Sequence, residues 1–372
     1  MNAGIITIYN LSNYGNRLQN YAVRSTLNKL GVEAVTLIPR QIKMSYRTNQ
    51  KMRELKEFLS KEPEKAGLSD PDGVRQLRFR MFNEDNIPIK ELDTVAFGPE
   101  LNEQYDFFVT GSDQVWNPTF KSSKGIVKNY LLSFASPNKR ICFSPSFGSD
   151  EIPDEWKPLF EKELDKFTRL SVREDSGAGL VRKLTGRVPE VLMDPTLMIS
   201  KEEWEGLAKP LYGADYRNEK YVLYYFIGDK KEEMPKQVKA VVDKFIAENN
   251  MKEYNLFDKD NPIMNSAGPA EFIDLINNAS LICTDSFHGT VFSIIFNKPF
   301  VLCDRELILN NEKVDMSSRI KTLLGRLQLR DRLPENFSDR NIVEADYSEA
   351  KNILELEKTR TYDFLKKSMG LS

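Results

Sequence analysis

Residues 281–290, Leu281-Ile282-Cys283-Thr284-Asp285-Ser286-Phe287-His288-Gly289-Thr290, pass from an apolar run into a polar turn. A second apolar run, Val291-Phe292-Ser293-Ile294-Ile295-Phe296, follows and stops at Asn297-Lys298-Pro299. A β-prone tetrad, a short turn and an apolar stretch of helix length are the pattern of a strand feeding a helix, the repeating step of parallel-sheet α/β proteins. Ser286 to Gly289 then form the turn at a strand's carboxyl end, where helix N–H groups and the helix dipole favour an anion such as phosphate or carboxylate. Gly289 lets a ligand approach the backbone where a Cβ would intrude. His288 is the chain's one histidine, and at this place it is positioned to give a proton to that ligand or hold charge on it. The competing role is a ring that caps the helix or is hydrogen-bonded in the packing.

The same step recurs on both sides. In the first half strands are read at 4–10, 33–38, 105–111, 140–145, 170–173 and 188–193, with helices at 16–30, 155–167 and 175–184. In the second half strands at 221–227, 253–257, 281–284 and 300–303 alternate with helices at 232–249, 269–277, 290–296 and 320–327. A polar, Gly-containing segment, Tyr212-Gly213-Ala214-Asp215, separates the two sets after a short helix at 201–207. The stretch 40–100 breaks the pattern, because its Lys and Arg are scattered over all faces of helical segments; it reads as an insertion of solvated helices. The expected architecture is α/β, two Rossmann-like doubly wound domains facing a cleft, with ligands beyond the carboxyl ends of the strands. The expected bounds are 1–210 for the first domain, 211–345 for the second and 346–372 for a C-terminal helix that packs back on the first.

At 372 residues the chain is long enough for two cores. Lys+Arg 53 against Asp+Glu 55 leaves a net charge of −2, which speaks against general nucleic-acid binding but not against a local basic pocket for one anionic substrate. Cys142, Cys283 and Cys303 sit in apolar runs with the spacing of neither a disulfide framework nor a zinc site. They read as buried thiols in a reducing compartment, and no metal is expected. Met1-Asn2-Ala3-Gly4 runs directly into an apolar strand with no basic n-region or cleavage site, and no apolar stretch has the length of a membrane span. The expected location is the cytoplasm, with peripheral contact at the inner face of the membrane for a membrane-borne substrate.

Other strand ends also carry chemistry. Tyr105-Asp106-Phe107-Phe108-Val109-Thr110-Gly111-Ser112-Asp113-Gln114-Val115-Trp116-Asn117 delivers donors and acceptors from Ser112, Asp113, Gln114 and Asn117, and a flat apolar face from Trp116; together these suit a sugar ring. The alternative is a turn satisfied locally, with Trp116 in the core. Asn13-Tyr14-Gly15-Asn16, with Gln19 one turn on, is the expected ligand loop of the first domain, and Asn13 and Asn16 are equally suited to cap its helix. Ser144-Pro145-Ser146-Phe147-Gly148 is a further strand end. Arg173 emerges from a buried strand and needs an anion, found in Glu174, Asp194 or a substrate. Asp315-Met316-Ser317-Ser318-Arg319 offers hydroxyls and a guanidinium for a phosphate, or a helix cap with a surface arginine.

In this order the chain resembles the polysaccharide pyruvyl transferases. The likeness runs through Asn13-Tyr14-Gly15-Asn16, the Thr110-Gly111-Ser112-Asp113-Gln114-x-Trp116-Asn117 segment, Ser146-Phe147-Gly148, Arg173-Glu174, Leu192-Met193-Asp194-Pro195-Thr196, Ser286-Phe287-His288-Gly289 and Ser318-Arg319. The resemblance implies a glycosyltransferase-B-like pair of domains, the first binding the acceptor and the second the donor. It implies transfer of a pyruvyl unit from phosphoenolpyruvate to two hydroxyls of a sugar or glycan, giving a cyclic ketal and phosphate without any cofactor. It assigns His288, Ser286, Phe287 and Arg173 to phosphoenolpyruvate, with His288 as the acid. Some members carry Arg where this chain has Ser286, so a cation is missing here, and Arg319 or Lys298 is the candidate to replace it. Asp113 is the choice for the base that takes a proton from the attacking hydroxyl. The acceptor is expected in a surface polysaccharide or a lipid-linked precursor. Two other functions fit the same plan: a nucleotide-sugar glycosyltransferase, for which no acidic ribose ligand follows the strand at 221, and a non-catalytic glycan-binding relative, which would not need an acid.

Overall fold

The computed structural model describes residues 1–39, 46–94, 97–118, 124–228, 234–305, 308–309, 312–313, 317–343 and 346–371. Asp315 and Met316 lie outside the described residues, as do the first two residues of the helix expected at 232–249. The chain divides into two compact units. Unit 1 comprises 1–42, 83–199 and 352–372, and unit 2 comprises 43–82 and 200–351.

Unit 1 is built on a five-stranded sheet of β1 (Asn2–Ile6), β2 (Glu33–Pro39), β3 (Ile89–Leu92), β4 (Phe107–Thr110) and β5 (Arg140–Cys142). The strand order is β3-β2-β1-β4-β5, and every pairing is parallel. A parallel sheet is covered on both faces, which explains why central β1 and β4 read as apolar runs rather than alternating ones. Ala3, Ile5, Ile6, Phe108 and Val109 are all buried. Two short strands, β6 (Ser171–Val172) and β7 (Glu190–Val191), pair in parallel beside them. The sheet order reverses direction between β1 and β4, and this makes the carboxyl ends of those two strands the switch point of the unit.

Unit 2 carries β8 (Tyr221–Tyr225), β9 (Lys252–Asn255), β10 (Leu281–Thr284) and β11 (Phe300–Leu302) in the order β11-β10-β8-β9, again all parallel. Its switch point lies between β8 and β10. A two-stranded ribbon of β12 (Ile308–Leu309) and β13 (Glu312–Lys313) follows. Val222, Phe226, Val242, Leu281, Cys283, Val301, Cys303 and Ile342 form a buried cluster of this unit.

The units are thus Rossmann-like α/β bodies, but their boundaries differ from those expected. Residues 43–82 belong to unit 2, and their helices are not merely solvated. Leu55, Ala66, Val74 and Leu77 form their own buried cluster. Buried Arg78 donates from Nη1 to the carbonyl and hydroxyl of Ser266 at 3.0 and 2.8 Å and lies 3.5 Å from Glu271. Residues 83–100, also expected in the insertion, belong to unit 1 and include edge strand β3, paired with β2 from Thr36↔Ile89 to Pro39↔Leu92. The C-terminal helix Ser348–Met369 ends in unit 1, where Phe364, Leu365 and Met369 enter the core and Arg360 donates to Val191 O.

Candidate functional site

In unit 1 a cavity of about 360 Å³ opens at the switch point, lined by Ile8, Asn10, Asn13 and Asn16 after β1 and by Asp113, Gln114, Asn117 and Tyr130 after β4. Five expected site residues therefore meet there: Asn13, Asn16, Asp113, Gln114 and Asn117. Asn13 is also the N-cap of the Tyr14–Lys29 helix, its Oδ1 accepting from Asn16 N at 3.0 Å, so one residue serves both roles that its position allowed. Asp113 is held in a left-handed conformation at φ 67°. Its carboxylate accepts from Asn16 Nδ2 at 3.2 Å and faces Arg173 Nη2 at 3.7 Å.

Behind this wall stands a buried polar layer. Arg173 Nη1 donates to Asp194 at 2.5 Å, and both side chains are almost wholly removed from solvent. Burial works against the charge of Arg173, but Asp194, Asp113 and Glu174 outweigh it and hold the guanidinium pKa above its ordinary value. Ser112 sits in the same layer, donating from Oγ to Ser144 O at 2.7 Å and from its N–H to Gln19 Oε1 at 2.7 Å. Ser146 donates to Glu174 at 2.9 Å, and the Phe147 N–H donates to the same carboxylate oxygen at 2.8 Å. Gly148, at φ 61°, closes that turn, and a Cβ there would run into Gln114 Oε1. Gln19, Ser112, Ser146, Gly148 and Arg173 do not line the cavity; they fix the loops that do.

Trp116 requires a correction. It is fully buried, 5.4 Å from the Phe147 ring and 6.0 Å from that of Phe167, with its Nε1–H donating to Tyr130 O. It is core, not a platform for a sugar, because the loop after β4 turns back over the sheet and takes the indole inward. Besides Ile8 and Asn10, Arg17 and Tyr130 contribute without having been expected. Arg17, fully buried, donates to Asn16 Oδ1 at 2.6 Å and to Ile8 O at 2.5 Å and lies 4.7 Å under the Tyr9 ring. Burial lowers its pKa to about 10 against the opposing pull of Tyr9, Asp113 and Tyr130. Tyr130, pushed up to about 12 by burial and then by Asp113, forms part of the cavity wall. An Arg directly after Asn16 in the expected ligand loop was the signal for the first; nothing local marked the second.

In unit 2 a second cavity, also about 360 Å³, lies past the ends of β10 and β11. Its polar lining consists of Asp285, Asp304, Arg305, Ser317, Arg319 and Lys321, with Phe287 among the apolar residues. Of the expected residues Phe287 and Arg319 line it; Ser286, His288, Gly289 and Ser318 do not. Arg319 is buried, its guanidinium 5.7 Å from the Phe287 ring centre. Lys298 follows the far end of the Phe287–Ile295 helix and is no part of this cavity. Of Arg319 and Lys298, Arg319 is the one that lines this cavity.

Ser286 is the N-cap of that helix, its Oγ accepting from Gly289 N at 3.3 Å. His288 is 7% exposed, and its ring packs edge-on against Phe287 at 5.2 Å, so Phe287 carries the contact from the imidazole to the cavity wall. Gly289 is explained otherwise than expected. A Cβ there would meet Thr284 Oγ1 and come within 3.0 Å of the Tyr225 ring, so the glycine serves the seating of the helix on β10 and β8 rather than the approach of a ligand. Thr284 Oγ1 donates to Tyr225 O at 2.6 Å and has no room to yield. Gly289→Ala is expected to lower stability by about 1–3 kcal/mol, read as a shift of the urea midpoint at unchanged slope. Asp285, not anticipated, accepts from Ile227 N and Gly228 N at 2.8 Å each and so closes the switch point between β8 and β10.

Among the described residues no cluster of His, Cys, Asp and Glu has the makings of a metal site. The three thiols are buried, and burial pushes Cys142 up to about 11 and Cys303 to about 12, which leaves them poor nucleophiles.

The family model described as polysaccharide pyruvyl transferase matches residues 13–306. No curated protein matches the chain. Among solved structures the chain is similar to MurG of Acinetobacter baumannii, at 10% identity and a TM-score of 0.44, over 98% of this chain and 99% of that one. It is also similar to a UDP-GlcNAc 2-epimerase from Neisseria meningitidis bound to UDP-GlcNAc, at 10% identity and a TM-score of 0.42, over 99% and 100%.

Proposed function

We propose that this chain, which belongs to the polysaccharide pyruvyl transferase family, transfers the pyruvyl unit of phosphoenolpyruvate to two hydroxyls of a sugar and releases inorganic phosphate. The sugar belongs to a surface polysaccharide or its lipid-linked precursor. No helix among the described residues is long and apolar enough to cross a membrane.

The donor carries a phosphate and a carboxylate, and the unit 2 cavity supplies cations for both in Arg305, Arg319 and Lys321. The acceptor offers hydroxyls, and the unit 1 cavity supplies amides and one carboxylate, which suit hydroxyl donors and acceptors alike. In the first step an acid protonates the methylene carbon of the enol, and C2 becomes electrophilic. A sugar hydroxyl adds to C2 and gives up its proton. The second hydroxyl then displaces phosphate from C2, closing the ketal. The two hydroxyl protons are balanced by one gained at the methyl carbon and one leaving with phosphate. On the family resemblance the acid's part falls to His288, whose ring stands behind Phe287 and not on the cavity lining, and the base's part to Asp113; Arg173, held by Asp194, keeps Asp113 in place.

The observation that carries this reading is the buried Arg319, which with Arg305 and Lys321 outnumbers the carboxylates Asp285 and Asp304 in the cavity at the β10 and β11 ends. Against a nucleotide-sugar donor stands Asp285, which already occupies the Ile227 and Gly228 N–H groups at the switch point, where a diphosphate would be received. Incubation with phosphoenolpyruvate and a panel of galactosides and mannosides is expected to release phosphate and add a pyruvyl mass to one of them. Absence of both across the panel contradicts the proposal. Arg319→Met should weaken phosphoenolpyruvate binding about 10- to 150-fold by calorimetry, the equivalent of one charged hydrogen bond.

A further inference from the structure

A third cavity, of about 250 Å³, lies in unit 2 and shares no lining residue with the one at Arg319. It is formed where the helix Lys236–Asn249 passes over β8 and β9, and its walls are Tyr224, Phe226, Met234, Lys239, Glu253, Asn255 and Asp258. The register pairs Val222 with Glu253 and Tyr224 with Asn255. Side chains two apart on a strand share a face, so Tyr224 presents its ring beside Glu253 and Asn255. The Tyr224 and Phe226 rings stack with centres 6.3 Å apart and an interplanar angle of 30°, making a broad apolar floor. The Tyr224 hydroxyl donates to Glu253 Oε2 at 2.9 Å and sets that carboxylate at the edge of the floor.

The charge of the rim selects the ligand. Glu253 and Asp258 are carboxylates, and Lys239, the one cation of the lining among the described residues, is held by both oxygens of Asp243 at 2.7 and 2.8 Å. Phosphates and carboxylates are therefore repelled, which disfavours nucleotides and acidic sugars. An aromatic floor ringed by acceptors suits a ligand with one apolar face and outward hydroxyl donors. We infer that this cavity is a second saccharide subsite, taking one neutral sugar ring of a glycan against Tyr224 and Phe226, with hydroxyls donating to Glu253 and Asp258. The inference goes beyond the transfer reaction and does not depend on it.

Met234 lines this cavity and, among the described residues, no methionine lines the other two described above, so methyl-labelled methionine is a local reporter. Without phosphoenolpyruvate, the Met234 methyl resonance, assigned through Met234→Leu, is followed during titration with methyl galactoside, methyl mannoside and N-acetylglucosamine, and in parallel with glucuronate and uridine monophosphate. The expected result is a saturable shift with at least one neutral sugar, weakened tenfold or more when Glu253→Gln and Asn255→Ala are combined, with the melting temperature kept. The inference is overturned if no neutral sugar moves the resonance, if glucuronate or the nucleotide moves it more strongly, or if the response survives the double substitution. Because no donor is present, the outcome is separable from success or failure of pyruvyl transfer.

Discussion

His288→Gln is expected to slow phosphate release from phosphoenolpyruvate in the presence of acceptor by about 10²- to 10⁴-fold, the usual contribution of a positioned acid. The physical basis is the demand of the donor: the enol carbon is a weak base, and C2 accepts a hydroxyl only once that carbon is protonated. Glutamine keeps the size and hydrogen-bonding character of the imidazole but has no titratable proton. The ring is 7% exposed and packs on Phe287, so the substitution is close to volume-conserving and the melting temperature should hardly move. Phosphate release and thermal melting measured together separate lost chemistry from lost fold. Turnover close to that of the parent would remove His288 from the mechanism.

Arg173→Met should destabilise the protein by about 3–5 kcal/mol, because it strands a buried carboxylate rather than merely deleting an ion pair. Asp194 is 1% exposed and accepts from Arg173 at 2.5 Å while its other oxygen caps Thr196. Asp113 loses its cation in the same stroke. Asp194→Asn, added to Arg173→Met, keeps the acceptor that caps Thr196 but removes the stranded charge, and it should recover a large part of the loss. Urea unfolding of the single and double variants measures the difference. A single variant as stable as the parent would mean that this pair has no structural weight, and with it the account of how Asp113 is held would fail.

Both parallel sheets were legible because buried parallel strands are short, apolar and bounded by polar turns. Long-range membership was not. The helices of 43–82 look amphipathic whether they lie on one unit or the other, and only contacts such as Arg78 with Ser266 and Glu271 decide it. Strand β3 is four residues of mixed polarity after a charged helix, and an edge strand with little buried surface leaves a weak pattern. In the site, strand-end position foretold Asp113, Gln114, Asn117, Asn13, Asn16 and Phe287 as cavity residues, and a place just before a helix foretold Arg319. It could not distinguish a lining side chain from its support, since Ser112, Ser146 and Arg173 sit at equally good positions and turn inward. Trp116 was misassigned for a related reason: an indole beside polar residues fits a sugar platform and a core plug equally well, and the loop's path chooses. Asp285 was passed over because its partners, the backbone N–H groups of Ile227 and Gly228, have no signature in sequence.

The most direct test is a crystal structure with phosphoenolpyruvate bound. The donor's phosphate and carboxylate are expected within hydrogen-bonding distance of Arg319 and Arg305, in the cavity past β10 and β11. A structure in which saturating phosphoenolpyruvate leaves that cavity empty, while UDP enters it, would contradict the account.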